Sequence, residues 1–296
     1  GVTVIDTLNR KVVAFIPTGA GHHEIAISDD SLTAYVTNSN SGSLAVIDSQ
    51  QLKKIKDLSV GERPISVAYS GLSQAAYVAS EGDGNITVID GVKHQISQRI
   101  STEPGLIALR FAPGDRWGFA VNLKRDRVFI IDASNNSLSH NFPVGKQPHQ
   151  VSFTETYAYV RSLGASEMQL IPLAQLDEKK IFKLQTIPLG NRPPNEYPYL
   201  AVADAISPTG EWDSVLVASP ADKAVYYYME GMVAPMGTFP TYGRVPRAVR
   251  VVDRSLRETE RGVYSTKLRV PKSGNYEVAF LIDSPWIYNC FSFTAE

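Results

Sequence analysis

The sequence predicts an all-β fold, a β-propeller of about six or seven four-stranded blades with a small all-β segment at its C-terminal end, and three observations predict it. First, "VTVIDTLNRKVVAFI" (2 to 16), "LAVIDSQQLKKIKDL" (44 to 58), "ITVIDGVKHQISQRI" (86 to 100) and "VFIIDASNNSLSHNF" (128 to 142) place Asp6, Asp48, Asp90 and Asp132 at a constant spacing of 42. Second, a different element recurs between them: "HHEIAISDDSLTAYVTN", "PISVAYSGLSQAAYVAS", "LIALRFAPGDRWGFAVN" and "PHQVSFTETYAYVRS". Third, each repeat holds four short runs rich in Val, Ile, Tyr and Phe, separated by Gly, Asn, Asp and Ser, which is the grammar of strands and turns. A four-stranded unit of about 40 residues, repeated, is a propeller blade. No stretch of comparable length carries a helical apolar period.

With the strands of a blade lettered A to D from the channel outward, the chain opens at a strand C. Either late strands near 246 to 270 pair with residues 2 to 16 and close the ring, or further blades lie upstream of Gly1. A fifth C strand, in "MQLIPLAQLDEKKIFKL", slips in register because two residues are lost from "FTETYAYV". The connection "TIPLGNRPPNEYPYLAVADAIS" then delays the next A strand by eleven residues, and "DSVLVASPADKAVYYYM" restores the B and C pattern. Loops this long in a compact domain are often functional. "GRVPRAVRVVD" (243 to 253) reads as one more A strand. The predicted organisation is therefore blades over 1 to 240 and a C-terminal all-β segment over 241 to 296, either an immunoglobulin-like module or a divergent last blade.

Lys plus Arg is 29 and Asp plus Glu is 30, a net charge of −1, which leaves no electrostatic footprint for nucleic acid. The longest apolar runs, such as "AVYYYM" and "VAFLI", are far shorter than the roughly 20 residues of a spanning helix, so no membrane span is expected in this segment. Cys290 is the single cysteine, which excludes an internal disulfide and a cysteine zinc site. There is no phosphate-binding glycine loop and no G-x-S-x-G elbow. The repeated Asp of "VID" is a turn former, its carboxylate accepting backbone N–H groups after strand C.

"YVTN" at 35 to 38, with "VID" and "G..P..V" around it, resembles the YVTN family of β-propellers over roughly residues 1 to 230, with WD40-like blades. The resemblance implies an exported, periplasmic or cell-surface protein of a prokaryote. More distantly, the chain is similar to the propeller domains of nitrous oxide reductase and of the d-type haem nitrite reductases, which hold a copper cluster or a haem at the channel mouth using histidines.

"GHHE" is the most conspicuous local cluster in a chain with five histidines. In the repeat frame His23 aligns with Ile65, Ile107 and His149, at the start of strand A. Strand A lines the channel, and the D-to-A and B-to-C connections share its top face. His23, Glu24 and His149, with Arg192, Glu196 and Tyr197 from the long connection, form the predicted ligand-binding face. Arg63, Lys124, Arg125, Arg127, Lys146 and Gln147 lie in neighbouring loops of the same face.

The leading reading makes His23 and His149 hydrogen-bonded channel residues of a non-catalytic propeller, with no cofactor. Such a protein offers its top face to a protein, peptide or glycan. The alternative makes His23 and His149 ligands of a single copper or of a non-covalent haem-like tetrapyrrole, with Glu24 fixing a tautomer and Arg192 meeting a cofactor carboxylate. The histidines are too few for a multi-copper cluster, and the segment has no C-x-x-C-H haem attachment site. Met229, Met232 and Met236, three of the chain's four methionines, form a second soft-metal candidate in the C-to-D connection, against a packing role as the plainer reading.

Overall fold

A computed structural model describes residues 1–177, 183–191, 204–209, 213–252, 256–266, 270, 273–282 and 286–295. By their contacts these residues fall into two units, Gly1–Arg250 and Val251–Glu296.

The first unit opens with a two-stranded sheet, β1 (Val2–Asp6) and β2 (Lys11–Ile16), which are strands C and D of a blade. Five four-stranded antiparallel sheets follow. Blade one is β3 (Ile25–Ile27), β4 (Thr33–Asn38), β5 (Ser43–Asp48) and β6 (Lys53–Ser59). Blade two is β7 (Pro64–Ser70), β8 (Ala75–Ser80), β9 (Asn85–Asp90) and β10 (Gln95–Ser101). Blade three is β11 (Leu106–Phe111), β12 (Trp117–Asn122), β13 (Arg127–Asp132) and β14 (Ser137–Pro143). Blade four is β15 (Pro148–Phe153), β16 (Tyr157–Ser162), β17 (Glu167–Pro172) and β18 (Gln185–Pro188). Blade five is β19 (Ile206–Pro208), β20 (Ser214–Ser219), β21 (Ala224–Met229) and β22 (Gly237–Pro240). The fold is a β-propeller, and successive innermost strands adjoin: β3 with β7, β7 with β11, β11 with β15, and β15 with β19.

Apolar layers lie between the sheets. Tyr35, Leu44 and Val46 of blade one meet Val67, Val78 and Ile89 of blade two. The same positions recur as Phe119, Val128 and Ile130 against Val151, Val160 and Ile171 between blades three and four. Strands B and C are covered on both sides, which is why they read as unbroken apolar runs, whereas strand D alternates with solvent. Each fully buried Val, Ile, Leu or Phe contributes about 1.5–3 kcal/mol. Val2 and Val4 of β1, partly buried, pack on Val36, Ala45 and Ile47 of blade one.

The turns repeat as faithfully as the strands. Asp6 accepts the N–H groups of Leu8 and Asn9 at 2.9 and 3.1 Å, Asp48 those of Gln50 and Gln51, and Asp90 those of Val92 and Lys93. The Asn9 side chain and backbone hold the Asp6 carboxyl below its ordinary range, and the Lys93 N–H does the same for Asp90. Four residues after each Asp the backbone turns left-handed, with φ of 54°, 54°, 52° and 56° at Arg10, Leu52, His94 and Asn136. The geometry is constant although Arg10 and Leu52 are residue types that rarely adopt it.

At the other end of the blades, the D-to-A segment of one repeat is tied to the B-to-C loops on both sides. Glu81 N donates to Arg63 O, Leu123 N to Gly105 O and Leu163 N to Gln147 O, while Val60 N, Thr102 N and Val144 N reach Gly42 O, Gly84 O and Asp126 O. Asn122, wholly buried at the end of β12, locks one such junction. Its Nδ2 donates to Glu103 O (2.7 Å) and Pro104 O (3.3 Å), and its Oδ1 accepts from Lys124 N (3.1 Å) and Arg125 N (3.0 Å).

The A strand expected over 243 to 253 is not formed: residues 244–252 carry no strand. Val249 N does donate to Asp204 O (2.9 Å), but among the described residues no second strand continues that bond into a ladder. Strands β1 and β2 pair only with each other among the described residues. Among the described residues the second unit holds two antiparallel hairpins, β23 (Arg257–Glu260) with β24 (Val263–Ser265) and β25 (Gly274–Ile282) with β26 (Ile287–Ala295). Cys290 is exposed on β26. No helix of the described residues is long and apolar enough to cross a membrane.

Asn122→Ala is expected to lower unfolding free energy in urea by about 1–2 kcal/mol, because the buried side chain's bonds to two partly exposed carbonyls and two N–H groups are lost. Asn122→Ser, which restores the residue at equivalent positions 80 and 162, is expected to lose less.

Candidate functional site

The position of His149 is set by an irregularity of strand A that recurs in three blades. In β7, β11 and β15 the pairing with strand B slips by one residue between Pro64 and Ser66, Leu106 and Ala108, and Pro148 and Gln150. Ile65, Ile107 and His149 are the extra residues of these bulges. Just before β3, His23 occupies the aligned position without a bulge: bonds from Ser39 N to His22 O and from Thr37 N to Glu24 O continue the register of Ile25 with Val36, and the slip comes earlier, at Gly21, where Asn40 N meets Ala20 O. "GHHE" is therefore the start of an innermost strand, paired in regular register, with His23 partly buried and His22 exposed.

The two imidazoles are held differently. His23 Nδ1 lies 2.7 Å from Thr37 O, and its Nε2 lies 3.4 Å from the Gly1 N-terminus. His149 keeps a partly exposed edge, yet its Nδ1 is buried without a hydrogen-bond partner. Burial and the adjacent Arg161 guanidinium push this imidazole down from 6.5 to about 3, against a backbone hydrogen bond at Arg161 that pulls upward. His149 is thus neutral across the physiological range.

Glu24 is engaged across the blade interface. Its Oε1 pairs with Arg110 Nη2 of blade three at 2.7 Å, and its Oε2 accepts Val67 N–H of blade two at 3.2 Å. The repeat explains this role: Ser66 Oγ accepts Leu109 N–H (2.9 Å), and Gln150 Oε1 accepts Ala205 N–H (2.9 Å). Residues 24, 66 and 150 each satisfy an inward N–H of the next blade's innermost segment.

Arg161, which the sequence reading passed over, belongs to this constellation. It pairs with Gln150 across the β15–β16 ladder, is 4% exposed, and has one long hydrogen bond, from Nη1 to Ala205 O at 3.5 Å. Its Nε is buried and unpartnered, and burial lowers its pKa to about 10, so it stays a cation. The signal was available in the alignment, where Arg161 stands in the column of Thr37, Ala79 and Val121.

Arg192, Glu196 and Tyr197 lie outside the described residues. Met229 ends β21, half-buried, and Met232 and Met236 are exposed in the connection to β22, at the end of the blade opposite the B-to-C loops. Among the described residues no three or more His, Cys, Asp or Glu gather where they could hold a metal ion. At His149 a cation would stand against the Arg161 charge. A tetrapyrrole bearing carboxylates meets there one neutral imidazole and one guanidinium.

No family model matches the chain, and no curated protein matches it. Solved structures do. Hydrazine synthase of Kuenenia stuttgartiensis is similar with a TM-score of 0.61 at 18% identity, over 83% of this chain and 82% of that one. A protein of unknown function from Desulfotomaculum acetoxidans is similar with a TM-score of 0.58 at 14% identity, over 77% and 74%. The dihydro-heme d1 dehydrogenase NirN, in complex with DHE, is similar with a TM-score of 0.61 at 15% identity, over 82% of this chain and 53% of that one. At such identities the likeness establishes the fold alone.

His149→Ile, the residue at equivalent positions 65 and 107, tests the buried neutral imidazole. The unfolded chain takes up a proton near pH 6.5 that the folded chain refuses until about 3. This contribution to stability is therefore complete above pH 6.5 and is lost as pH falls toward 3. Between pH 6.5 and 5 the wild type is expected to lose about 1–2 kcal/mol relative to His149→Ile, measured by urea unfolding at each pH.

Proposed function

We propose that the protein is a non-catalytic, extracytoplasmic β-propeller that binds a protein, peptide or glycan through the face carrying its D-to-A and B-to-C loops. One observation carries the reading: three basic side chains of this face are mounted on buried blade ends, with their charged heads more than half exposed and held only by ion pairs. Arg63 pairs with Glu81 at 3.0 Å, Lys124 with the same Glu81 at 3.2 Å, and Arg125 with Glu103 at 3.1 Å, and these three basic side chains are 59%, 56% and 57% exposed. Surface pairs of this kind contribute about 0–1 kcal/mol, so a partner's groups can replace them at little cost. His23 and Glu24 support the same reading, since both are committed to backbone groups of the repeat. The extracytoplasmic location rests on the sequence resemblance to exported propellers.

A second reading is favoured by the unpartnered His149 Nδ1 beside Arg161. In it the channel mouth takes a non-covalent tetrapyrrole or a copper ion, with His149 and His23 as donors, and the neighbours named for hydrazine synthesis and haem d1 chemistry give that reading its context.

The two separate in one set of measurements. Binding to peptide and glycan arrays is expected to weaken by about tenfold or more in an Arg63→Glu, Lys124→Glu, Arg125→Glu variant whose thermal midpoint is unchanged. A stoichiometric metal or chromophore in the purified protein, lost in His23→Ala, His149→Ala, overturns the first reading in favour of the second.

A further inference from the structure

The arginines nearest the channel are treated unequally. Arg110 meets Glu24 at 2.7 Å, and Arg116, farther out on blade three, meets Asp132 and Asp177 at 3.0 and 2.6 Å. Arg161 is far more deeply buried than either, and among the described residues its charge has no carboxylate counterpart. The influences on it are burial and the Tyr228 hydroxyl of blade five, which is itself donated to Pro188 O at 2.6 Å. A guanidinium presents five N–H donors, and one long bond to Ala205 O is a poor use of them. A cation taken out of water without a partner is among the costlier things a fold can contain.

What surrounds it is polar. His149, beside it, has a buried nitrogen without a partner. Gln150 holds its amide toward the start of blade five, with Oε1 accepting Ala205 N–H and Nε2 at 3.5 Å from Ile206 O. Blades one to three place Thr37, Ala79 and Val121 in the Arg161 column, so the propeller architecture does not require a cation there.

We propose that Arg161, with His149 and Gln150 beside it, forms a binding site for a small carboxylate at the junction of blades four and five. The planar guanidinium fork matches a carboxylate in two parallel hydrogen bonds. A neutral imidazole and an amide add polar contacts without competing charge. A bound carboxylate supplies the counter-charge that Arg161 lacks, so binding and folding are linked. The site lies between blades, does not rest on the loop-face reading, and shares His149 with the tetrapyrrole reading.

The test uses the full chain at constant ionic strength and pH 7.5, with sodium acetate exchanged for sodium chloride, and reads thermal midpoint and titration calorimetry. In the wild type the midpoint is expected to rise saturably with acetate, with calorimetric heat that fits one site. Arg161→Met is expected to lose both responses and, without acetate, to unfold no earlier than the wild type, because it removes an unpaired buried charge. The imidazole resonances of His149 are expected to shift on acetate addition, a readout that needs no variant. Absence of both saturable stabilisation and heat in the wild type overturns the proposal, as does an acetate response that persists in Arg161→Met. Inorganic phosphate acting as strongly as acetate overturns the assignment to carboxylate.

Discussion

The innermost strand of every blade is an edge strand, and its inward N–H groups have no fifth strand to meet. An edge of this kind must be satisfied or it becomes a cost and a template for wrong pairing. This propeller satisfies it from the preceding blade. Glu24 takes the Val67 N–H, Ser66 that of Leu109 and Gln150 that of Ala205, although the three side chains share nothing but an acceptor oxygen. The receiving residues are 3%, 0% and 5% exposed, so water is not an alternative partner for them. The apolar layers between blades supply most of the stabilisation, and these bonds fix how successive blades are seated.

That constraint also sorts the candidate site. Glu24 beside two histidines looks like part of a metal motif, but its oxygens serve blade two and Arg110. His23 sits at the start of an innermost strand, a position the repeat would have whatever residue filled it, and its Nδ1 is held by Thr37 O. What the architecture leaves unexplained is on blade four: a buried neutral imidazole and a buried guanidinium, each with an unpartnered nitrogen. The loop face and this junction are physically distinct, one held by exposed and replaceable ion pairs, the other enclosed and short of a counter-charge.

The 42-residue period made the blades, their turns and the equivalence of His23 with His149 legible in the sequence. The turn role of Asp6, Asp48 and Asp90 followed from position alone, because a carboxylate after strand C meets the same two N–H groups each time. Other features were not legible for physical reasons. The strand expected over 243 to 253 has the apolar pattern of strand A, but a pattern does not make a ladder without a neighbouring strand to bond. The pairing of Glu24 with Arg110 joins repeats that are two blades apart, and periodicity aligns residues without saying which of them touch. Arg161 was visible as an odd residue in its column, yet only its burial and its missing carboxylate give that oddness meaning.

Native-state hydrogen exchange at the amides of Val67, Leu109 and Ala205 measures the inter-blade constraint directly. Seating by the preceding blade predicts that these three exchange as slowly as ladder amides inside strand B, such as Val78 and Val121, and that Glu24→Ala accelerates Val67 while leaving Leu109 and Ala205 protected. Exchange of Val67, Leu109 and Ala205 at the rate of exposed loop amides, unaffected by Glu24→Ala, would contradict it.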